Sequence, residues 1–97
     1  MKRGELWIVR LDKPRPALIL AENVSLYDVQ IIPITRTQRH LLSEVVVGAE
    51  SGLNHASYLN AQLLMAVAPE AFIQHIGALG DEKMNEVCRA VKAAIGC

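Results

Sequence analysis

Apolar residues in the first two-thirds of the chain follow the two-residue period of strands, and near the end they recur at intervals of three and four. Residues 6–12 put Trp7, Val9 and Leu11 on one face and Leu6, Ile8 and Arg10 on the other, which predicts a first strand. Asp12-Lys13-Pro14 reads as a short turn. Residues 15–21 predict a second strand, with Ala17, Leu18, Ile19 and Leu20 in succession, so this strand is expected in the middle of the fold with both faces covered. A polar connection over 22–27 leads to a third strand at 28–35, β-branched at Val29, Ile31 and Ile32. Pro33 has no N–H for a ladder, so that end of the strand is expected at an edge or a bulge.

Residues 36–40 form a polar loop, and 43–47 predict a fourth strand followed by the turn residues Gly48, Ser51, Gly52 and Asn54. Residues 57–67 read as one fifth strand, although Leu59, Leu63 and Leu64 break its alternation. Pro69-Glu70-Ala71-Phe72 suits a short helical turn, and 73–79 a last strand. The final segment is helical. Asp81 is placed as its N-cap with Glu82 in the first turn, Met84, Val87, Cys88, Val91 and Ile95 form one apolar face, and Gly96 stops it. Many short strands before one amphipathic helix predict a mainly β (α+β) fold, a small antiparallel barrel with a helix packed on it.

Composition sets bounds on this picture. The chain has 97 residues, enough for one domain over 1–97, and 52% apolar content supports a real but small core. No run of 18 apolar residues exists and the N-terminus lacks the apolar core of a signal peptide, so a cytoplasmic protein without a membrane span is expected. Cys88 and Cys97 lack zinc spacing and histidine neighbours. Cys88 is expected to pack as a small apolar residue and Cys97 to lie at a frayed end, with no metal or cofactor implied. The formal net charge is zero. Its distribution is uneven, because residues 1–40 hold seven Lys and Arg against four acids, +3, and the remainder carries −3. Broad electrostatic binding of nucleic acid is disfavoured, but a local basic patch in the first forty residues is not.

The order of landmarks resembles the MazF/PemK/Kid family of type II toxin-antitoxin toxins. Arg3-Gly4-Glu5 leads into a first strand ending in Leu11-Asp12, Arg15-Pro16-Ala17-Leu18-Ile19 opens the second strand, and Pro33-Ile34-Thr35 ends the third. Gly52-Leu53 precedes Ser57, and Ile76-Gly77-Ala78-Leu79 precedes a helix with the acidic first turn Asp81-Glu82. No single motif is specific, but their order covers the chain from Arg3 to Gly96. Members of the family usually carry a longer first hairpin loop, which covers the RNA and is remodelled by the antitoxin. Only Lys13-Pro14 separates Asp12 from Arg15 here, as in the short-loop members.

The resemblance implies an SH3-like barrel of the CcdB/PemK type, a homodimer, and an endoribonuclease that cleaves single-stranded RNA without a metal. The 2′-hydroxyl attacks the adjacent phosphate to leave a 2′,3′-cyclic phosphate. It also implies a small, partly disordered antitoxin partner, with operator DNA bound only as the complex. Arg15 and Thr35 match the family's catalytic pair. A guanidinium stays charged and can grip two phosphate oxygens, while the threonine hydroxyl can bond a third. Lys13, Arg36 and Thr37 are expected along the RNA backbone. The family often has an acid before a glutamine in the fifth strand. Aligning on Ser57 and Ile76-Gly77 puts Gln62-Leu63 there, so Gln62, which exchanges no proton near neutral pH, stands for the acid and with Asn60 is expected to position RNA.

Histidine is the obvious replacement acid or base. Of His40, His55 and His75, His40 is the best placed, following the Thr35 loop. Trp7 could stack on a base but reads better as a core or interface residue. Two other functions fit the same landmarks. One is a catalytically weak toxin-fold protein acting through antitoxin and operator binding. The other is a CcdB-like gyrase inhibitor, disfavoured because the chain ends Ala94-Ile95-Gly96-Cys97 without a terminal tryptophan.

Overall fold

The computed structural model describes residues 1–23, 28–48, 52–53 and 56–97. The expected turn residues Ser51 and Asn54, the candidate His55, and most of the 22–27 connection lie outside that set. Seven strands are formed by the described residues: β1 (Glu5–Arg10), β2 (Pro14–Asn23), β3 (Asp28–Thr35), β4 (Glu44–Val47), β5 (Ser57–Asn60), β6 (Met65–Val67) and β7 (Phe72–Ala78). The helix α1 (Asp81–Ile95) follows. All the strand pairings are antiparallel, and the order across the sheet is β4-β5-β3-β2-β1-β7, with β6 also against β3.

β2 has apolar side chains on both faces because both faces are covered. Leu18 and Leu20 join Leu6, Ile32, Ile34, Val45, Val47 and Leu59 in a core closed by Met84, Val87 and Ala90 of α1. Ala17 and Ile19 join Val9, Val29 and Ile31 in a second core, flanked by Trp7, Val67 and Phe72. Register shifts at Leu6/Trp7 and Ile8/Val9 in β1, and between Ile19 and Ala21 in β2, bend the sheet around these cores as bulges do. Trp7 takes the packing role, edge-on to Phe72 with ring centroids 5.8 Å apart.

Several expectations are corrected. Pro33 is buried in a central strand and pairs with Ala17 of β2. On the other flank β6 covers Val29 to Ile31 and β5 covers Ile34 and Thr35, so the proline falls where one partner gives way to the next. The expected single strand at 57–67 is two strands. The Asn60 side chain accepts hydrogen bonds from the Gln62 backbone N–H (3.0 Å) and the Ser43 hydroxyl (3.3 Å), and the Ala61 N–H donates to the Ser43 carbonyl (2.8 Å). These bonds fix a 3₁₀ turn at Ala61–Leu63, after which the chain rejoins β3 further along. The helix N-cap is Gly80, one residue before the expected Asp81, which sits with Glu82 in the first turn where carboxylates oppose the helix dipole. Ile95 lies outside the buried face, whose last members are Val91 and Ala94. Gly96 ends the helix in the left-handed conformation, φ 77°. The described helix is not long and apolar enough to cross a membrane.

Candidate functional site

The β1–β2 turn is short because it closes on itself. The Leu11 N–H donates to the Lys13 carbonyl (3.2 Å), and Arg10 already pairs with Pro14. Arg15 then follows as the second residue of β2, opposite Val9 and held extended by the proline after it. Across the sheet, β3 ends at Thr35 and a loop leaves over 36–43. Glu44 pulls that loop back. Its two carboxylate oxygens accept the backbone N–H groups of Arg39 (2.8 Å) and His40 (3.1 Å), and His40 takes a positive φ of 55° to allow it.

Between these two structures lies a cleft of about 730 Å³. Its apolar floor includes Ile8, Pro16, Ile34, Leu53 and Ile76. Its polar lining is Lys13, Arg15, Thr35, Arg36, Thr37, Arg39 and Ser57. Gly52 closes one wall at φ +92°, so near the Ile76 carbonyl that a Cβ would collide with it, and only glycine fits there. Four cationic side chains face the cleft, and no carboxylate is among its described lining residues. A zero-charge protein thus concentrates positive charge in one concavity, the form an anion site takes.

Arg15 alone among these cations holds an ion pair among the described residues. Its Nε donates to Asp12 Oδ1 (2.9 Å) and its NH2 to Asp12 Oδ2 (3.1 Å). That two-point bond holds the Asp12 carboxyl well below the usual carboxylate range and raises the Arg15 guanidinium further above its already high value. Arg15 therefore acts here as a fixed charge and exchanges no proton. The Thr35 hydroxyl makes one long contact, to the Thr37 carbonyl at 3.4 Å, and is easily recruited by a ligand.

Of the residues expected at the site, Lys13, Arg15, Thr35, Arg36 and Thr37 come together in the cleft, while Asn60, Gln62 and His40 do not line it. Asn60 is 5% exposed and both of its bonds are internal. Gln62 is exposed on the Ala61–Leu63 turn, which packs against α1. His40 is exposed on the loop beyond Arg39. His75 stands apart, tilted on Trp7 at 5.4 Å and 3.7 Å from Glu5, whose carboxyl is lowered by N–H bonds from Lys2 and Trp7. Arg39 is a cleft residue that the sequence reading passed over, although its spacing from Arg36 in a polar loop was a visible signal.

Comparison with known proteins gives a consistent result. A family model described as PemK-like, MazF-like toxin of type II toxin-antitoxin system matches residues 2–95. The "Probable endoribonuclease MazF2" of Mycobacterium tuberculosis is 29% identical over 102 residues, covering 100% of both chains. The solved structure of Mycobacterium tuberculosis toxin MazF-mt6 superposes with a TM-score of 0.88 at 32% identity, covering 95% of this chain and 96% of that one. A mycobacterial endoribonuclease in complex with its cognate antitoxin has the same fold, with a TM-score of 0.87 at 24% identity over 99% of this chain and 95% of its own.

Proposed function

The chain belongs to the PemK-like, MazF-like toxin family of type II toxin-antitoxin systems, and from that premise we propose that it is a metal-independent endoribonuclease acting on single-stranded RNA in the Arg15 cleft. The observation that carries this reading is the convergence of Arg15, Thr35, Lys13, Arg36 and Thr37 on one apolar-floored concavity.

In the proposed reaction the 2′-oxygen bonds to the adjacent phosphorus and the bond from phosphorus to the 5′-oxygen breaks. The products are a 2′,3′-cyclic phosphate and a 5′-hydroxyl. The 2′ proton leaves to solvent base and water returns one to the departing oxygen. Negative charge peaks on the non-bridging oxygens of the phosphorane, so a permanent cation beside them lowers the barrier most. Arg15 supplies it and Thr35 donates one hydrogen bond. Lys13, Arg36, Thr37 and Arg39 hold the neighbouring backbone, which positions the strand without reading its bases. A homodimer and an antitoxin that covers this cleft complete the proposal. Membership of a toxin-antitoxin family supports an antitoxin partner.

Incubating the pure protein with long single-stranded RNA tests the reading. Cleavage in the presence of a chelator is expected, and Arg15→Ala should lower kcat by about 100-fold or more, the usual cost of removing a transition-state charge partner. Intact RNA with the wild-type protein, or full activity in Arg15→Ala, removes the proposal. Intact RNA together with tight antitoxin binding would leave a toxin-fold binding protein instead.

A further inference from the structure

Asp12 does not line the cleft, yet both of its carboxylate oxygens bond a side chain that does. A guanidinium has two edges on which a planar anion can dock. The side edge is formed by the Nε hydrogen and one hydrogen of a terminal nitrogen, and the end edge by one hydrogen from each of the two terminal nitrogens. Asp12 occupies the side edge with both oxygens, at 2.9 and 3.1 Å. The end edge of Arg15 makes no hydrogen bond among the described residues.

The pair is built into a stiff arc. Leu11 and Lys13 close the turn by a backbone bond, Pro14 and Pro16 fix φ on both sides of Arg15, and the pairing of Val9 with Arg15 anchors the strand start. Lys13, Arg36 and Arg39, the other cleft cations, have no carboxylate partner among the described residues. The one cation with an aiming partner is the one that the reaction needs most.

We propose that Asp12 is a positioning residue that holds the side edge of the Arg15 guanidinium so that its end edge is presented to the scissile phosphate, and that it remains bound there when RNA enters. The inference rests on the RNA-cleaving reading of the cleft. Asp12 is not the missing acid of the reaction. Its carboxyl, held far below the ordinary range by Arg15, carries no proton to give at neutral pH.

Two measurements on the full chain test this. The first is cleavage of a long mixed-sequence RNA by wild type, Asp12→Asn, Asp12→Glu and Arg15→Ala. Asp12→Asn turns one acceptor into a donor that faces the guanidinium, and should lower kcat by about 10- to 100-fold with KM nearly unchanged. Asp12→Glu, which keeps charge and both oxygens, should recover most of the loss. Unchanged kcat in Asp12→Asn alongside an inactive Arg15→Ala overturns the positioning role and leaves the cleavage reading standing.

The second measurement needs no activity. The Arg15 Nε–H resonance is followed by NMR as an uncleavable 2′-O-methyl RNA of mixed sequence is added. A shifted, exchange-protected signal present in the wild type, absent in Asp12→Asn and retained in the bound state supports the proposal. Its loss on binding means that phosphate displaces the carboxylate, and the proposal falls whether or not the wild type cleaves RNA.

Discussion

At Arg15 the protein commits a carboxylate to one of the cations that line its cleft. Asp12 and Arg15 are both solvent-accessible, and an exposed pair of this kind adds little to folding. Its linkage to pH follows from the lowered Asp12 value. The contribution is present above the carboxyl's unfolded pKa and is lost only as pH falls through the depressed folded one. The pair is therefore intact throughout the neutral range. No described cleft-lining residue is a histidine or a carboxylate. Log kcat is accordingly expected to climb with a slope of about 1 from roughly pH 5 to 9, as hydroxide deprotonates the 2′-hydroxyl. A plateau with a bend near pH 6.5 would bring an imidazole into the reaction and count against solvent as the base. That Arg15 and Thr35 lie near strand ends was readable from their motifs, and the fold brings both ends to one cleft. The Asp12 contact was not, because a sequence shows a turn acid and a nearby arginine but not which edge of the guanidinium meets it.

The elements that were easy to read are those whose pattern is purely local. β3 occupies the expected 28–35, and the buried stretch of β2 follows from its apolar run. The 57–67 segment was misread because one side chain overrides the apolar pattern there. Asn60 looked like an RNA contact but is the bracket that ends β5, bonded at once to Ser43 and Gln62. Asn60→Ala removes that bracket and strands a buried serine hydroxyl. A loss of about 1–3 kcal/mol is expected, seen as a lower urea midpoint at unchanged m. RNA affinity should stay near wild type in conditions where the variant is folded, and a selective loss of binding would return Asn60 to the site. Glu44 plays the same part for the loop that carries Arg36 and Arg39. Its role was hidden because a carboxylate that caps two backbone N–H groups leaves no mark in a hydropathy pattern.

For the molecule as a whole, the zero net charge is the misleading quantity and its placement the informative one. Four cations in one cleft predict a salt dependence that the composition would not. With about 0.7 counterions released per phosphate neutralised on a single strand, log affinity against log salt should fall with a slope of about −2 to −3. Binding of an uncleavable single-stranded RNA across a salt series measures it, and a slope near zero would take the RNA out of this cleft. Barrel-like curvature was implied by the family resemblance, and its physical means, the bulges at Leu6/Trp7, Ile8/Val9 and Ile19/Ala21, became visible only once the register was known.

The double burial of β2 has a consequence for how the molecule breathes. A strand clamped between two cores and paired on both flanks opens only when most of the fold opens with it. Arg15 stands near the start of that strand, so the cation proposed to meet phosphate is tethered to a segment enclosed on both faces and both flanks. Arg36 and Arg39 lie instead on an exposed loop outside the sheet, held by the two backbone N–H bonds that Glu44 accepts. The cleft joins a jaw built into the sheet to one that lies outside it, and under the proposed function the first would fix the reacting point while the second meets the neighbouring backbone.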